Sequence, residues 1–297
     1  RLVEALVAGG APAGVINLVT GPSGATGPAI TADPRVRAIS FTGSTGAGEA
    51  IHSGLPMTTR TQMELGGKNP LIVMEDADLD EAVKLAIGGG FSLTGQACTG
   101  TSRVLVHRDV MEDFEARLKT ATEKLVVGAG TDPAAKLGPL ASEKQLRSVM
   151  GYIATGKDEA RLVCGGEQLT GGEYDKGWYV APTVFADVAP DAVIAQEEIF
   201  GPVLALIAIG SYDEAIEVAN GVQYGLSAAI ATKNFDYIQR FPADIEAGTV
   251  KVNRTTTGNL VNAPFGGVKA SSTATFRESG RAGLDFFTQI KTVYLGR

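Results

Sequence analysis

Val36-Arg-Ala-Ile-Ser-Phe-Thr-Gly-Ser-Thr-Gly-Ala-Gly-Glu-Ala-Ile-His-Ser53 passes from a β-rich run into a helical one across three closely spaced glycines. A strand that opens into a helix through a glycine-rich turn is the repeating step of an α/β layer. Upstream, Val15 to Val19 reads as a further short strand, so Gly14 to Ser53 has the pattern of a βαβ unit. Downstream, the apolar run Asn69 to Met74 precedes Asp76-Ala-Asp-Leu-Asp80, an acidic start for the helix Glu81 to Ile87, which runs into Gly88-Gly-Gly90. Strand Arg103 to Val106 and helix Asp109 to Leu125 repeat the alternation. Val180 to Phe185, Val203 to Ile209 and Thr249 to Asn253 add strands. The expected fold is α/β, with open parallel sheets and helices on both faces. Arg1 to Gly9 reads as an amphipathic helix, and a chain opening on it is expected to start inside a larger protein.

Composition narrows the function. The chain has 297 residues with 44% hydrophobic and 20% charged residues, enough for a sizeable core. A formal charge of −7 gives no basic footprint for nucleic acid or an anionic membrane. Apolar runs stop well short of the roughly 20 residues of a membrane helix. Cys98 and Cys164 form neither a disulfide framework nor a CxxC pair, which fits a reducing, cytoplasmic location. His52 and His107 form no metal-ligand spacing, so no metal site is expected.

Three segments carry chemistry. In Phe41-Thr-Gly-Ser-Thr-Gly-Ala-Gly48 the unpaired N–H groups of a helix start can hold phosphate. Its GxxGxG spacing departs from the Rossmann GxGxxG, and a purely structural turn is the competing reading. In Met63-Glu-Leu-Gly-Gly-Lys-Asn-Pro70, Glu64 stands beside glycines at a strand entrance, where a partly desolvated carboxylate suits general-base work. A solvated glutamate is the commoner outcome. In Gly95-Gln-Ala-Cys-Thr-Gly-Thr-Ser-Arg103, a cysteine in a Gly- and Thr-rich loop, near backbone N–H groups and Arg103, is placed for thiolate stabilisation. Cys164, in Leu162-Val-Cys-Gly-Gly166, reads instead as a core or strand-end residue. His107 ends an apolar strand and His52 follows the glycine-rich helix start, so neither reads as the partner base. Glu64 would then activate water rather than the thiol.

Taken together, Phe41-Thr-Gly-Ser44, Glu64-Leu-Gly-Gly-Lys68, Gly95-Gln-Ala-Cys98, Glu197-Glu-Ile-Phe-Gly-Pro202 and Pro264-Phe-Gly-Gly267 resemble, in order and separation, the NAD(P)-dependent aldehyde dehydrogenase superfamily. The resemblance implies an aldehyde dehydrogenase-like fold, Cys98 as nucleophile and Glu64 as general base. It implies a cofactor, NAD or NADP, contacted by Gly43, Ser44 and Leu65, with Glu198 on the nicotinamide ribose and Phe200 against the ring. On their own, Glu198 and Phe200 read as a surface carboxylate and a core aromatic. The family's upstream Trp-Asn segment, which completes an oxyanion hole, and its Lys-Pro segment for the adenosine ribose have no match here.

On the same basis, residues 1–64 are expected to be the later part of a dinucleotide-binding domain. Residues 65–270 are expected to form the catalytic domain, and 271–297 a C-terminal return ending in an oligomerisation strand, Lys291 to Leu295, in a homo-oligomer. The substrate side is expected to involve Ala97 and Thr99 beside the nucleophile, and Arg254 and Phe265 in the loop Asn253-Arg-Thr-Thr-Thr-Gly-Asn-Leu-Val-Asn-Ala-Pro-Phe265. That loop resembles the α-ketoglutaric semialdehyde dehydrogenase branch, which implies a dicarboxylate semialdehyde. Small or aromatic aldehydes and betaine aldehyde are the competing substrates. A CoA-acylating enzyme, which would not need Glu64, and an inactive fragment are the competing functions.

Overall fold

The computed structural model describes residues 1–273 and 275–297. Helices α1 (Leu2–Ala8) and α2 (Ser23–Thr31) lead into strand β1 (Ala38–Thr42), helix α3 (Thr45–Ser53) and strand β2 (Arg60–Glu64). Then follow β3 (Asn69–Val73), α4 (Leu79–Gly90), β4 (Thr101–His107), α5 (Met111–Glu123), α6 (Glu143–Glu159), β5 (Arg161–Cys164), β6 (Thr183–Ala186), α7 (Val193–Gln196) and β7 (Val203–Ile209). The chain continues through α8 (Tyr212–Asn220), β8 (Tyr224–Gly225), β9 (Ser227–Ala231), α9 (Phe235–Asp244), β10 (Thr249–Val252), β11 (Val268–Lys269) and α10 (Gly280–Phe287). Polar N-caps start several of these helices: Asp78 accepts from Glu81 N, Ser142 from Gln145 N, and Ser211 from Glu214 N.

Seven strands form one sheet in the order β10-β9-β3-β4-β7-β6-β5, parallel except for β5, which pairs antiparallel with β6. Because side chains alternate along a strand, the sheet feeds two cores. Ile72, Leu105, Ala205 and Ile207 face one side, against Leu146, Val149 and Ile153 of α6, Ala215 of α8 and Phe241 of α9. Leu71, Val73, Val104, Val106, Leu204 and Leu206 face the other, against Ala82 and Ala86 of α4 and Phe114 and Leu118 of α5. Helices cover both faces, as expected. The pair β1-β2 is a separate parallel sheet, and β8-β11 a small antiparallel one.

Two expectations are corrected. Val15 to Val19 is not a strand and is largely exposed. A strand is defined by its neighbour, and apolar composition alone supplies none. Arg103, expected beside Cys98, is instead wholly buried on β4. Its Nε donates to Lys68 O (3.1 Å), and Nη1 and Nη2 donate to Val218 O (2.9 Å) and Ala219 O (2.8 Å) at the end of α8. A guanidinium beside three carbonyls satisfies acceptors that the end of a helix leaves open. Arg103→Met is therefore expected to lower unfolding free energy by roughly 2–3 kcal/mol, since buried carbonyls are left unpaired. Urea denaturation measures this, and an unchanged midpoint would contradict it.

Candidate active site

Four loop segments and a helix enclose a cleft of about 650 Å³. Residues Thr42 to Ser44 enter from the end of β1, Glu64 to Gly66 from the end of β2, and Gln96 to Cys98 from the loop before β4. Glu198 to Phe200 come from the segment after α7, while Gln145, Ser148 and Tyr152 line it from α6. Strand β1 ends at Thr42 and α3 begins at Thr45, so the glycine-rich turn presents a nine-residue helix start at the cleft. Ser44 is the N-cap, with no side-chain cap hydrogen bond, and a Cβ at Gly46 would meet nothing within 4 Å. The N–H groups of that start are therefore open to an anion. Leu65 packs under α3, where a Cβ at Gly48 would collide with its side chain.

Glu64 ends β2 and is 3% exposed. Ser272 Oγ donates to Oε1 at 3.3 Å, and Oε2 has no hydrogen-bond partner among the described residues. Burial, reinforced by the nearby Glu278 carboxylate, pushes the Glu64 carboxyl up to about 8, against the opposing pull of Ser272 and Arg277. A carboxyl held near neutrality can take a proton and release it again.

Cys98 is half-buried. Burial raises its thiol above the ordinary value, the N–H of Thr99 pulls it back down, and the Glu198 and Glu64 charges raise it further. Glu198 accepts from Gly67 N at 3.1 Å, and burial raises its carboxyl too. Two glycines make this possible. A Cβ at Gly66 would strike the Glu198 carboxylate, and one at Gly67 would sit 2.5 Å from Cys98 O. Phe200 has a left-handed backbone (φ 54°) and is 39% exposed, its ring lining the cleft. Gln145 Nε2 holds that turn by donating to Ile199 O (3.1 Å) and Phe200 O (2.9 Å).

The cleft thus brings together Gly43, Ser44, Glu64, Leu65, Ala97, Cys98, Glu198 and Phe200. Thr99 is buried beside it and contributes its backbone N–H. Arg254 and Phe265 lie elsewhere, lining a second pocket of about 290 Å³ with Lys251, Leu260 and Pro264. The Lys251 ammonium is committed to the loop, donating to Thr256 O (2.8 Å) and Thr257 O (2.6 Å). Among the described residues no carboxylate pairs with Arg254. A hydrogen bond between the Thr101 and Thr256 hydroxyls (2.8 Å) ties this loop to the strand that follows Cys98. His52, against Thr61, and His107, against Gly210 O, stand outside the cleft. Among the described residues no group of three or more His, Cys, Asp or Glu side chains could hold a metal ion.

Four residues escaped the sequence reading. Gln145, Ser148 and Tyr152 form a polar stripe at helical spacing beside the Leu146, Val149 and Ile153 core stripe, and that periodicity was available. Glu278 is brought to Glu64 only by the chain's return, which no local pattern announces.

A glycine-rich helix start, a cysteine and an elevated carboxyl thus meet in one cleft of an α/β fold. The chain belongs to the aldehyde dehydrogenase family, whose sequence profile matches residues 1–293. It is 47% identical over 296 residues to the α-ketoglutarate semialdehyde dehydrogenase of Haloferax volcanii, covering 99% of this chain and 61% of that protein. It is 44% identical to the α-ketoglutaric semialdehyde dehydrogenase of Bacillus subtilis, with 99% and 61% covered. The crystal structure of an NAD-dependent aldehyde dehydrogenase from Sinorhizobium meliloti superposes with a TM-score of 0.94 at 36% identity, covering 99% of this chain and 58% of that one. Among the described residues no helix is long and apolar enough to cross a membrane.

Proposed function

We propose that this chain carries the catalytic thiol and base of an enzyme that oxidises an aldehyde to a carboxylate through a thioester on Cys98. The observation that carries the reading is the meeting of Cys98, Glu64 and Glu198 in one cleft beside an open helix start. The residues present fit a nicotinamide dinucleotide. Ser44 and the α3 N–H groups suit the diphosphate, the buried Glu198 carboxylate suits a ribose diol, and the Phe200 ring offers a flat apolar face. When bound, NAD or NADP supplies the hydride acceptor.

The chain's own groups do the rest. Cys98 adds as thiolate to the aldehyde carbon, and the Cys98 and Thr99 N–H groups, which pull the thiol down, are the backbone donors that would stabilise the new oxyanion. The thioester left after oxidation is opened by water, whose proton Glu64 takes. The presence of Glu64 supports hydrolysis over transfer to CoA. Residues 1–64 would belong to the dinucleotide-binding part and 65–270 to the catalytic part, a division supported by the separate β1-β2 sheet. Unpaired Cys98 and Cys164 fit a cytoplasmic setting. In a homo-oligomer, Lys291 to Leu295 would gain the partner strand it lacks here.

For the substrate, a dicarboxylate semialdehyde such as α-ketoglutaric semialdehyde is favoured by the relatives and by the Arg254 guanidinium, whose loop is tied through the Thr101–Thr256 hydroxyl bond to the strand that follows Cys98. Arg254→Ala is expected to raise KM for α-ketoglutaric semialdehyde roughly tenfold, about 1.4 kcal/mol, with kcat little changed. An uncharged aldehyde of similar length should be barely affected. Equal losses for both would make Arg254 a loop support and remove the dicarboxylate reading's physical basis.

A further inference from the structure

Asn69 follows the Glu64-to-Lys68 segment, opens β3 and is 1% exposed. Its Nδ2 donates to Cys98 O and to Gly100 O, both at 2.8 Å, and its Oδ1 accepts from Ser227 N at 3.0 Å. Two carbonyls on one side and one N–H on the other fix which end of the amide is which, because the flipped amide would set oxygen against oxygen. A peptide group is planar and trans, so its C=O and N–H point in opposite directions. Holding Cys98 O against Asn69 therefore turns Thr99 N–H the other way, and the Thr99 N–H is the backbone group that pulls the Cys98 thiol down against the effect of burial.

We propose that Asn69 is a positioning residue for the nucleophile: by anchoring the Cys98 carbonyl it aims the Thr99 N–H at the Cys98 thiolate. The closeness of the two segments agrees with this, since a Cβ at Gly67 would meet Cys98 O at 2.5 Å and the Asn69 amide at 2.8 Å. The rest of the site cannot take over this task. The carboxylates of Glu64 and Glu198 disfavour a thiolate, and the Arg103 guanidinium is spent on carbonyls of Lys68, Val218 and Ala219. The backbone N–H groups are thus the stabilising partners of the thiolate, and Asn69 sets the direction of one of them.

The proposal rests on Cys98 being the nucleophile, and its test needs no turnover. In a Cys164→Ala background, the rate at which iodoacetamide alkylates the Cys98 peptide is followed against pH by mass spectrometry. Asn69→Ser is expected to move the midpoint up by roughly one pH unit, which leaves about tenfold less thiolate below it. Asn69→Asp keeps the shape and the acceptor while losing both donors, and should move the midpoint at least as far. In turnover, kcat should fall roughly tenfold with KM for the dinucleotide unchanged, because Glu198 and Ser44 are untouched. An unchanged midpoint in a variant that unfolds at the wild-type temperature would overturn the proposal. So would failure of both variants to fold, which would assign Asn69 to the fold rather than to the thiol. If the wild-type protein oxidises no aldehyde, the functional reading falls, while the alkylation midpoints still decide the role of Asn69.

Discussion

Cys98→Ala is expected to abolish aldehyde-dependent reduction of the dinucleotide, by a factor on the order of 10⁴ or more, while Cys164→Ala should leave it within about twofold. The asymmetry follows from where the two thiols sit. Cys98 lines the cleft with Glu64 and Glu198, whereas Cys164 ends β5 at the edge of the large sheet, in a separate pocket with Thr122 and Tyr174. Burial pushes the Cys164 thiol up to about 11, so almost none of it is thiolate at neutral pH. Cys98 is raised as well, but the Thr99 N–H works against that rise. Alanine at Cys98 keeps the loop's backbone and its bonds to Asn69, so the loss measures the sulfur alone. Steady-state assays on both variants check this, and comparable losses from the two would remove Cys98 from the reaction.

How much of this was readable depended on whether the signal was local. Val203 to Ile209 is unbroken by charge and forms a strand over that range. Ser227 to Ala231 is buried between β3 and β10, but Ser-Ala-Ala-Ile-Ala carries no strand signature, because alanine fits helix at least as well. Val15 to Val19 has strand composition and no neighbour to pair with. The site divides in the same way. Glu64 and Cys98 stand in segments whose glycines and threonines mark an unusual backbone, and both lie in the cleft. Arg103 looked like a companion to Cys98 because only four residues separate them, yet along an extended strand that distance carries its side chain away from the loop and into the end of α8. Glu278 sits more than 200 positions from Glu64, and nothing short of the fold relates the two.

That distant neighbour shapes the second large effect, expected on replacing Glu64. Glutamine keeps the volume and removes the carboxylate, so thioester formation should proceed and its hydrolysis should stall. The expected record is a burst of reduced dinucleotide followed by a steady rate lower by about 10²–10⁴. The pH dependence gives an independent check, because the Glu64 carboxyl is held at about 8. The base is the ionised form, so hydrolysis should rise with pH toward a plateau above about 8, and Glu64→Gln should erase that limb. The sign for stability runs the other way. The folded protein holds a proton that the unfolded chain releases near 4.5, so Glu64 lowers stability progressively as pH rises from there to about 8. Glu64→Gln should therefore lose less stability than the wild type over that interval. Glu278→Gln should carry the activity limb to lower pH, because removing a like charge beside Glu64 makes its ionisation easier. Full turnover by Glu64→Gln with an unaltered pH profile would place the base elsewhere. A limb that ignores Glu278 would mean that burial alone lifts the carboxyl.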